Sequence, residues 1–157
     1  MLVSISKVIV VCTGNICRSP MGEVVLRERL AEGEIDADVV SSGISSEELG
    51  NPIDPRAAEA LAARGYEVPR RTARWVGDTD DVSGDLILAM TRQHRDALIR
   101  RGADPARTRL WMEFVPGADD ADVSDPWFGD RDGFEETLDL IEAAAPQIVD
   151  TIRASRT

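Results

Sequence analysis

The stretch VIVVCTGNICRSPMGEVVL, residues 8–26, decides the fold. It begins with a run of Val and Ile that predicts a buried β-strand over residues 7–12, and it continues into a pattern typical of an α-helix over residues 20–31. Ser19 is the expected N-cap of this helix, and Pro20 is its expected first helical residue. A short turn, residues 12–18, therefore joins a strand to a helix N-terminus, and it contains both cysteines of the chain.

Apolar runs that are typical of strands alternate with helical patterns along the rest of the chain. Further strands are predicted over residues 37–42, 85–90 and 109–115. The further helices are predicted to begin after Asp54, after Thr91 and near Asp132. This alternation predicts an α/β fold with a parallel sheet and helices on both faces, and 157 residues fit one domain, residues 1–157. In such folds ligands bind at the carboxyl ends of the strands, where the cysteine-containing turn lies.

Composition and charge limit the classes of function. The chain has 29 acidic and 18 basic side chains, a net charge of −11. Nucleic-acid-binding proteins usually present a basic field, so we expect no nucleic-acid partner. No run of about 18 apolar residues occurs, so we expect no membrane-spanning helix. The apolar N-terminal run leads into Cys-Thr-Gly-Asn rather than a small-residue cleavage site, which favours a cytoplasmic protein.

The two cysteines, Cys12 and Cys17, lie too close in sequence for a disulfide to stabilise the chain much. A closed zinc site needs about four ligands, and His94 is the only histidine, so no metal is expected. His94 itself is predicted to lie on the surface of a helix. Catalysis or redox chemistry remains as the use of the two thiols.

The turn that holds the cysteines is suited to bind an anion. Backbone amides converge at a helix N-terminus, and the helix dipole adds positive potential there. Gly14 and Asn15 tolerate left-handed backbone, and Arg18 offers a fork that grips two phosphate oxygens. Cys12 lies at the base, where a thiol is expected to ionise readily and where Ser19 can donate a hydrogen bond to it. This arrangement predicts transfer of a phosphoryl group to sulfur.

The reaction also needs an acid that protonates the leaving oxygen. The Asp-, Gly- and Pro-rich loop of residues 116–131 offers Asp125, which is followed by Pro126, Trp127 and Phe128. An acid beside flat apolar side chains suits an aromatic leaving group.

The chain resembles the low-molecular-weight protein tyrosine phosphatases and looks like a bacterial member. The family's signature loop, V-C-x-G-N-x-C-R-S-P, matches residues 11–20, and its acid motif, Asp-Pro followed by aromatics, matches residues 125–128. The resemblance implies a four-stranded parallel sheet with order 2-1-3-4 and hydrolysis of phosphotyrosine through a cysteinyl-phosphate intermediate, without a cofactor or metal. It implies that Cys12 is the nucleophile, Arg18 the phosphate clamp and Asp125 the general acid.

The resemblance also implies roles for the neighbouring residues. The phosphate-binding residues are Thr13, Gly14, Asn15, Ile16, Cys17 and Arg18. The loop is supported by Asn15, Ser19 and Ser41, and the substrate wall consists of Ile16, Trp127 and Phe128. Cys17 either fills space in the core or forms a reversible disulfide with an oxidised Cys12, and we expect the second use, as a redox partner.

Three features depart from the family pattern. Arg71 stands where many members have a histidine, and Ile44 stands where Thr is usual. The segment of residues 44–52 lacks a Trp that is often found there. We therefore expect a different polar network behind the loop and a different substrate preference. Arg70, Arg71 and Arg74 are either plain surface charge or groups that offset the negative field near the site.

Other functions fit parts of the pattern. Phosphoarginine hydrolysis on the same fold is the nearest alternative, but members with that activity carry Thr where this chain has Ile16. Arsenate reduction would need cysteines beyond Cys17, and none occur. A phospho-binding module without turnover would leave Asp125 unexplained, and a dithiol redox protein would leave Arg18 and Ser19 unexplained. We expect phosphotyrosine-containing proteins as partners and a monomer or weak homodimer.

Overall fold

The helices and strands follow one another as the sequence predicts. The computed structural model describes residues 4–118, 121–129 and 131–156. The strands in this part of the chain are β1 (Lys7–Cys12), β2 (Asp38–Gly43), β3 (Leu86–Ala89) and β4 (Thr108–Leu110). The α-helices are α1 (Arg18–Glu32), α2 (Pro55–Ala63), α3 (Arg92–Arg100) and α4 (Arg131–Ala154). Short 3₁₀ helices span Val76–Asp78, Asp81–Ser83, Trp111–Phe114 and Pro126–Phe128.

The four strands form one parallel sheet with the order β2-β1-β3-β4, which confirms the predicted topology. β1 lies inside the sheet, where Val10 is paired with Ser41 on one side and with Leu88 on the other. Its Val and Ile side chains are fully buried, as a parallel strand covered on both faces requires. Because β1 is central, the turn that follows it lies at the middle of the carboxyl edge of the sheet.

Alternate side chains of β1 face two different apolar clusters. Val8 and Val10 belong to the larger cluster, which includes residues of α1, α2 and α4. Ile9 and Val11 belong to the smaller cluster, which includes Leu98 of α3. Helices therefore cover both faces of the sheet, as predicted.

Two local predictions are wrong. The fourth strand ends at Leu110 rather than at residue 115, because the side chain of Glu113 accepts a hydrogen bond from the Leu110 amide (3.0 Å) and closes a 3₁₀ turn. The first helix begins at Arg18, and its N-cap is Cys17, which makes no side-chain capping bond. Ser19 is therefore inside the helix, and its hydroxyl is used in the site described below. Asp54 and Thr91 do cap their helices, as predicted.

A search of the helices in the described ranges finds none long and apolar enough to cross a membrane.

Candidate active site

The turn of residues 12–18, called the phosphate loop below, lies between β1 and α1. Residues outside the loop donate hydrogen bonds to its backbone carbonyls. The Cys12 oxygen accepts from the Ile44 amide (3.0 Å), and the Ile16 oxygen accepts from the Asp54 amide (2.9 Å). Asn15 has a φ of 61°, in the left-handed region that Gly14 and Asn15 both tolerate, whereas Gly14 is not among the glycines with a positive φ. Within the described structure, the amides of residues 13–17 donate to no protein acceptor. They are therefore available to an anion.

The thiol of Cys12 lies at the base of this loop and is 2% exposed. Its Sγ is 2.9 Å from the hydroxyl of Ser19. The Ser19 oxygen already accepts a hydrogen bond from the Asn15 side-chain amide (2.8 Å). The Ser19 hydroxyl also lies 3.5 Å from the Ser42 carbonyl, a longer contact than that to sulfur. A thiolate has no proton, so Ser19 is the donor of this pair whenever Cys12 is ionised.

Asn15 organises the loop from behind. Its Nδ2 also donates to the Ser41 hydroxyl (2.9 Å), which in turn donates to the buried carboxylate of Glu23 (2.5 Å). The side chain of Asn15 thus lies away from the cavity and joins the support network predicted for Asn15, Ser19 and Ser41. Its backbone amide is the part that can contribute to phosphate binding.

Two arginines complete this support network. Arg71 donates to both the backbone oxygen and the side-chain oxygen of Asn15, and the Arg74 amide donates to the same side-chain oxygen (2.8 Å). Both arginines are partly buried, whereas Arg70 is exposed. Arg71 and Arg74 are therefore not plain surface charge, because both are bonded to Asn15 of the phosphate loop, and Arg71 is part of the polar network behind this loop.

Arg18, the first residue of α1, is 4% exposed and reaches across the site. One terminal nitrogen donates to the Val123 carbonyl (3.0 Å). The other donates to the Thr13 hydroxyl (3.3 Å) and lies 3.6 Å from Oδ2 of Asp125. The guanidinium therefore links the phosphate loop to the acidic loop that carries Asp125.

His94 is a part of the site that the sequence reading misplaced. It is 1% exposed rather than on the surface, and its Nε2 is 2.8 Å from the Thr13 hydroxyl. Burial, and secondarily the charge of Arg18, lower the pKa of His94 to about 3, so the ring is neutral near pH 7. The reason for the error is the position of α3: its first turn follows β3 and packs against the phosphate loop.

Asp125 lies on the wall of the cavity across from the phosphate loop. It caps the 3₁₀ helix Pro126–Phe128, where its Oδ1 accepts from the Trp127 amide (3.0 Å), and its Oδ2 lies on the side of Arg18. The Trp127 side chain is 43% exposed. Ile16 and Trp127 both line the cavity, and the predicted third wall residue, Phe128, has a side chain outside the described part of the structure.

The cavity has a volume of about 210 Å³. It is lined by Cys12, Thr13, Gly14, Ile16, Cys17, Arg18, Ser45, Glu47, Glu48, Asp125 and Trp127. Glu47 and Glu48 were not singled out in the sequence, because nothing local in the segment that contains them indicates that it folds over the phosphate loop.

Cys17 also lines this cavity but is chemically different from Cys12. Burial, and secondarily the charge of Asp54, raise the pKa of the Cys17 thiol well above its ordinary value, so it stays protonated near neutral pH. Both cysteines are free thiols. Among the residues that the structure describes, no group of His, Cys, Asp and Glu side chains could hold a metal ion.

A buried thiol beneath unpaired amides, a guanidinium fork and a carboxyl on the facing wall define a phosphatase of the cysteine-nucleophile class. The family model described as low molecular weight phosphotyrosine protein phosphatase matches residues 7–157, and the chain belongs to this family.

Relatives and solved structures agree with this assignment. The chain is 41% identical to low molecular weight protein-tyrosine phosphatase A of Mycobacterium tuberculosis, over 90% of this chain and 88% of the relative. It is 38% identical to a low molecular weight protein-tyrosine-phosphatase of Streptomyces coelicolor, over 94% and 93%. The structure of YfkJ from Bacillus subtilis superposes with a TM-score of 0.89 at 30% identity, covering 98% of each chain. The YwlE arginine phosphatase, in a mutant with a phosphorylated active site serine, superposes with a TM-score of 0.84 at 28% identity, covering 96% of this chain and 97% of the other.

Proposed function

We propose that this chain hydrolyses phosphotyrosine in proteins, with Cys12 as nucleophile, Arg18 as phosphate clamp and Asp125 as general acid and base. One observation carries the proposal: a single cavity brings together the thiol of Cys12, the guanidinium of Arg18 and the carboxyl of Asp125, although the acid is more than a hundred residues away in sequence. Membership of the family supports phosphoprotein substrates and the cysteinyl-phosphate route.

In the first step, the Cys12 thiolate attacks phosphorus and a sulfur–phosphorus bond forms while the bond from phosphorus to the tyrosine oxygen breaks. Asp125 transfers its proton to that oxygen, so tyrosine leaves as the neutral phenol. Arg18 and the free amides of the phosphate loop hold the three remaining phosphate oxygens, whose charge must be stabilised throughout.

In the second step, water attacks the phosphorus of the phosphocysteine. The Asp125 carboxylate accepts a proton from this water, the sulfur–phosphorus bond breaks, and inorganic phosphate leaves. The hydrogen bond from Ser19 stabilises the thiolate that is released, which favours both the starting state and the departure of sulfur.

The walls of the cavity favour an aromatic substrate. Ile16 is apolar and Trp127 presents an exposed indole, and both line the cavity together with Asp125. A tyrosine ring can pack between such groups.

Phosphoarginine hydrolysis is the second candidate because Glu47 and Glu48 also line the cavity. Carboxylates there could pair with a guanidinium, and the similar YwlE structure is that of an arginine phosphatase. Against it, Ile16 offers no polar group to a guanidinium.

The test is a pair of peptides with one sequence that carry either phosphotyrosine or phosphoarginine, assayed with the purified protein. We expect kcat/KM to be at least ~10-fold higher for phosphotyrosine, the size of effect that one well-matched apolar contact provides. Cys12→Ser is the control that must abolish both activities. A preference for phosphoarginine would replace the first candidate by the second.

We also propose that the chain works in the cytoplasm as one domain and as a monomer or weak homodimer. We further propose that it binds neither nucleic acid nor membranes, because its net charge of −11 opposes binding to anionic surfaces. Light scattering across a concentration series measures the oligomeric state, and a stable higher oligomer would contradict this part.

A further inference from the structure

Arg56, the second residue of α2, lies between the phosphate loop and residues 123–129, which contain Asp125 and are called the acid loop. Its Nε and one terminal nitrogen bind the two carboxylate oxygens of Asp54, at 3.1 and 3.0 Å. The Asp54 side chain is only 5% exposed, and its backbone amide donates to the Ile16 carbonyl of the phosphate loop (2.9 Å). The Asp54–Arg56 pair is thus fixed to the loop that carries the nucleophile.

The other side of Arg56 holds the acid loop. Its second terminal nitrogen donates to the carbonyls of Trp127 and Gly129, each at 3.3 Å. The guanidinium also lies 5.3 Å from the centre of the Trp127 ring and 4.6 Å from the centre of the Phe134 ring. These contacts fix the 3₁₀ turn that Asp125 caps, and they use the planar fork that distinguishes Arg from Lys.

Arginine side chains therefore bind the acid loop on both sides of Asp125. Arg18 binds the Val123 carbonyl, two residues before Asp125, and Arg56 binds carbonyls two and four residues after it. Arg56 itself is not among the residues that line the cavity. Arg56 therefore does not contact a group bound in the cavity, and two routes to the chemistry remain: its contacts with the acid loop and its charge, which acts on Asp125.

We propose that Arg56 is a positioning residue that aims the Asp125 carboxyl at the leaving oxygen, by bracing the acid loop against the phosphate loop through Asp54. This inference rests on the role of Asp125 in the proposed function. Removing the brace leaves the thiol, Arg18 and the amides in place but lets the acid adopt unproductive orientations. The rate of the first step, in which Asp125 protonates the leaving oxygen, should therefore fall, while the affinity for phosphate should stay nearly the same.

The experiment compares Arg56→Met, Asp125→Asn and the double variant on aryl phosphates with leaving groups of different acidity. Arg56→Met should lower kcat for phosphotyrosine by about 10- to 100-fold, the scale of a misplaced catalytic group, and much less for an acidic phenol. The inhibition constant of inorganic phosphate should change less than about twofold, as for a group that acts only in the transition state. In the Asp125→Asn background, Arg56→Met should have little further effect, because two groups that act as a unit are not additive.

Two further variants make the comparison specific. Arg131→Met is the matched control, since the ion pair that the structure describes for Arg131 is with Glu59 and joins α4 to α2. Arg56→Lys should give an intermediate rate, because it keeps the charge without the fork. Arg56→Met leaves the buried carboxylate of Asp54 without its partner, which can destabilise the fold. If that variant is too unstable to assay, the double variant Asp54→Asn, Arg56→Met removes this charge and takes its place in the comparison.

Equal losses for all leaving groups, or multiplicative losses in the double variant, would overturn the role of Arg56. If Asp125→Asn itself shows no greater sensitivity to the leaving group than the parent enzyme, the proposed acid is wrong instead, so the two failures are distinguishable.

Discussion

Gly43 ends β2 directly beside the phosphate loop, and Gly43→Ala is predicted to disable the enzyme. A Cβ on this residue would lie 2.6 Å from the Thr13 carbonyl oxygen, 3.0 Å from the Gly14 carbonyl carbon and 3.2 Å from the Asn15 amide nitrogen. All three atoms belong to the backbone of the loop, so no side chain can rotate away to make room.

The size of the effect follows from these distances. Heavy atoms pack best at about 3.5 Å or more, so the methyl group overlaps the Thr13 oxygen by about 0.9 Å. Gly43 cannot retreat, because it is paired with Cys12 in the sheet and its amide donates to the Arg74 carbonyl (2.9 Å). The loop must therefore shift by roughly 0.5–1 Å, and a displacement of that size costs about 10²-fold in rate.

The assay is kcat/KM for several aryl phosphates together with the inhibition constant of inorganic phosphate. A distorted loop should weaken phosphate binding and slow all leaving groups alike, unlike loss of the Arg56 brace. Gly133→Ala is the control, because a Cβ there would lie 3.9 Å from Pro126, an ordinary contact. A Gly43→Ala variant with parental turnover and phosphate affinity would refute this description of the loop.

Three further outcomes are expected. Cys17→Ser should keep turnover, because the buried Cys17 thiol stays protonated, but peroxide inactivation should no longer be reversed by a thiol reductant; full recovery would exclude the redox role. Ser19→Ala, which removes the donor 2.9 Å from the Cys12 sulfur, should slow turnover by about 10- to 100-fold, and an unchanged kcat would contradict that bond. Burial lowers the pKa of His94 to about 3 in the folded protein, whereas in the unfolded chain it is about 6.5. Between these two pH values the imidazole binds a proton only in the unfolded chain. The free energy of unfolding should therefore fall by about 1.4 kcal/mol for each pH unit from about pH 6.5 toward pH 3. Urea unfolding at pH 7 and pH 5 should show that His94→Gln lacks this part of the loss, and equal losses in both proteins would contradict it.

The central strand β1 and the phosphate loop could be predicted from the sequence, because the residues that form them are close together in the chain. Residues 8–11 of β1 are an unbroken run of β-branched side chains, and the cysteine, glycine, asparagine and arginine of the phosphate loop lie within seven positions of one another. Local backbone preferences act directly on such a segment, so the strand and the tolerance of Asn15 for left-handed backbone could be predicted.

What the sequence did not reveal depends on contacts between distant segments. His94 lies 81 residues from Thr13, and Arg56 lies 71 residues from Trp127. Ser19 looked like an N-cap because serine before proline has that preference, but here its hydroxyl is used by the thiol and by Asn15. In each case the tertiary partner decides the role of the side chain, and no local pattern names that partner.

The most direct test of the mechanism is to trap the phosphoenzyme. The protein is mixed with a phosphotyrosine peptide, quenched in acid within one turnover, digested and analysed by mass spectrometry. The mechanism predicts that one phosphoryl group is carried by the peptide that contains the phosphate loop, with fragmentation placing it on Cys12, and that Cys12→Ser forms no phosphocysteine. A phosphoryl group on Cys17, or single-turnover hydrolysis without any phosphoenzyme, would contradict the assignment of Cys12 as the nucleophile.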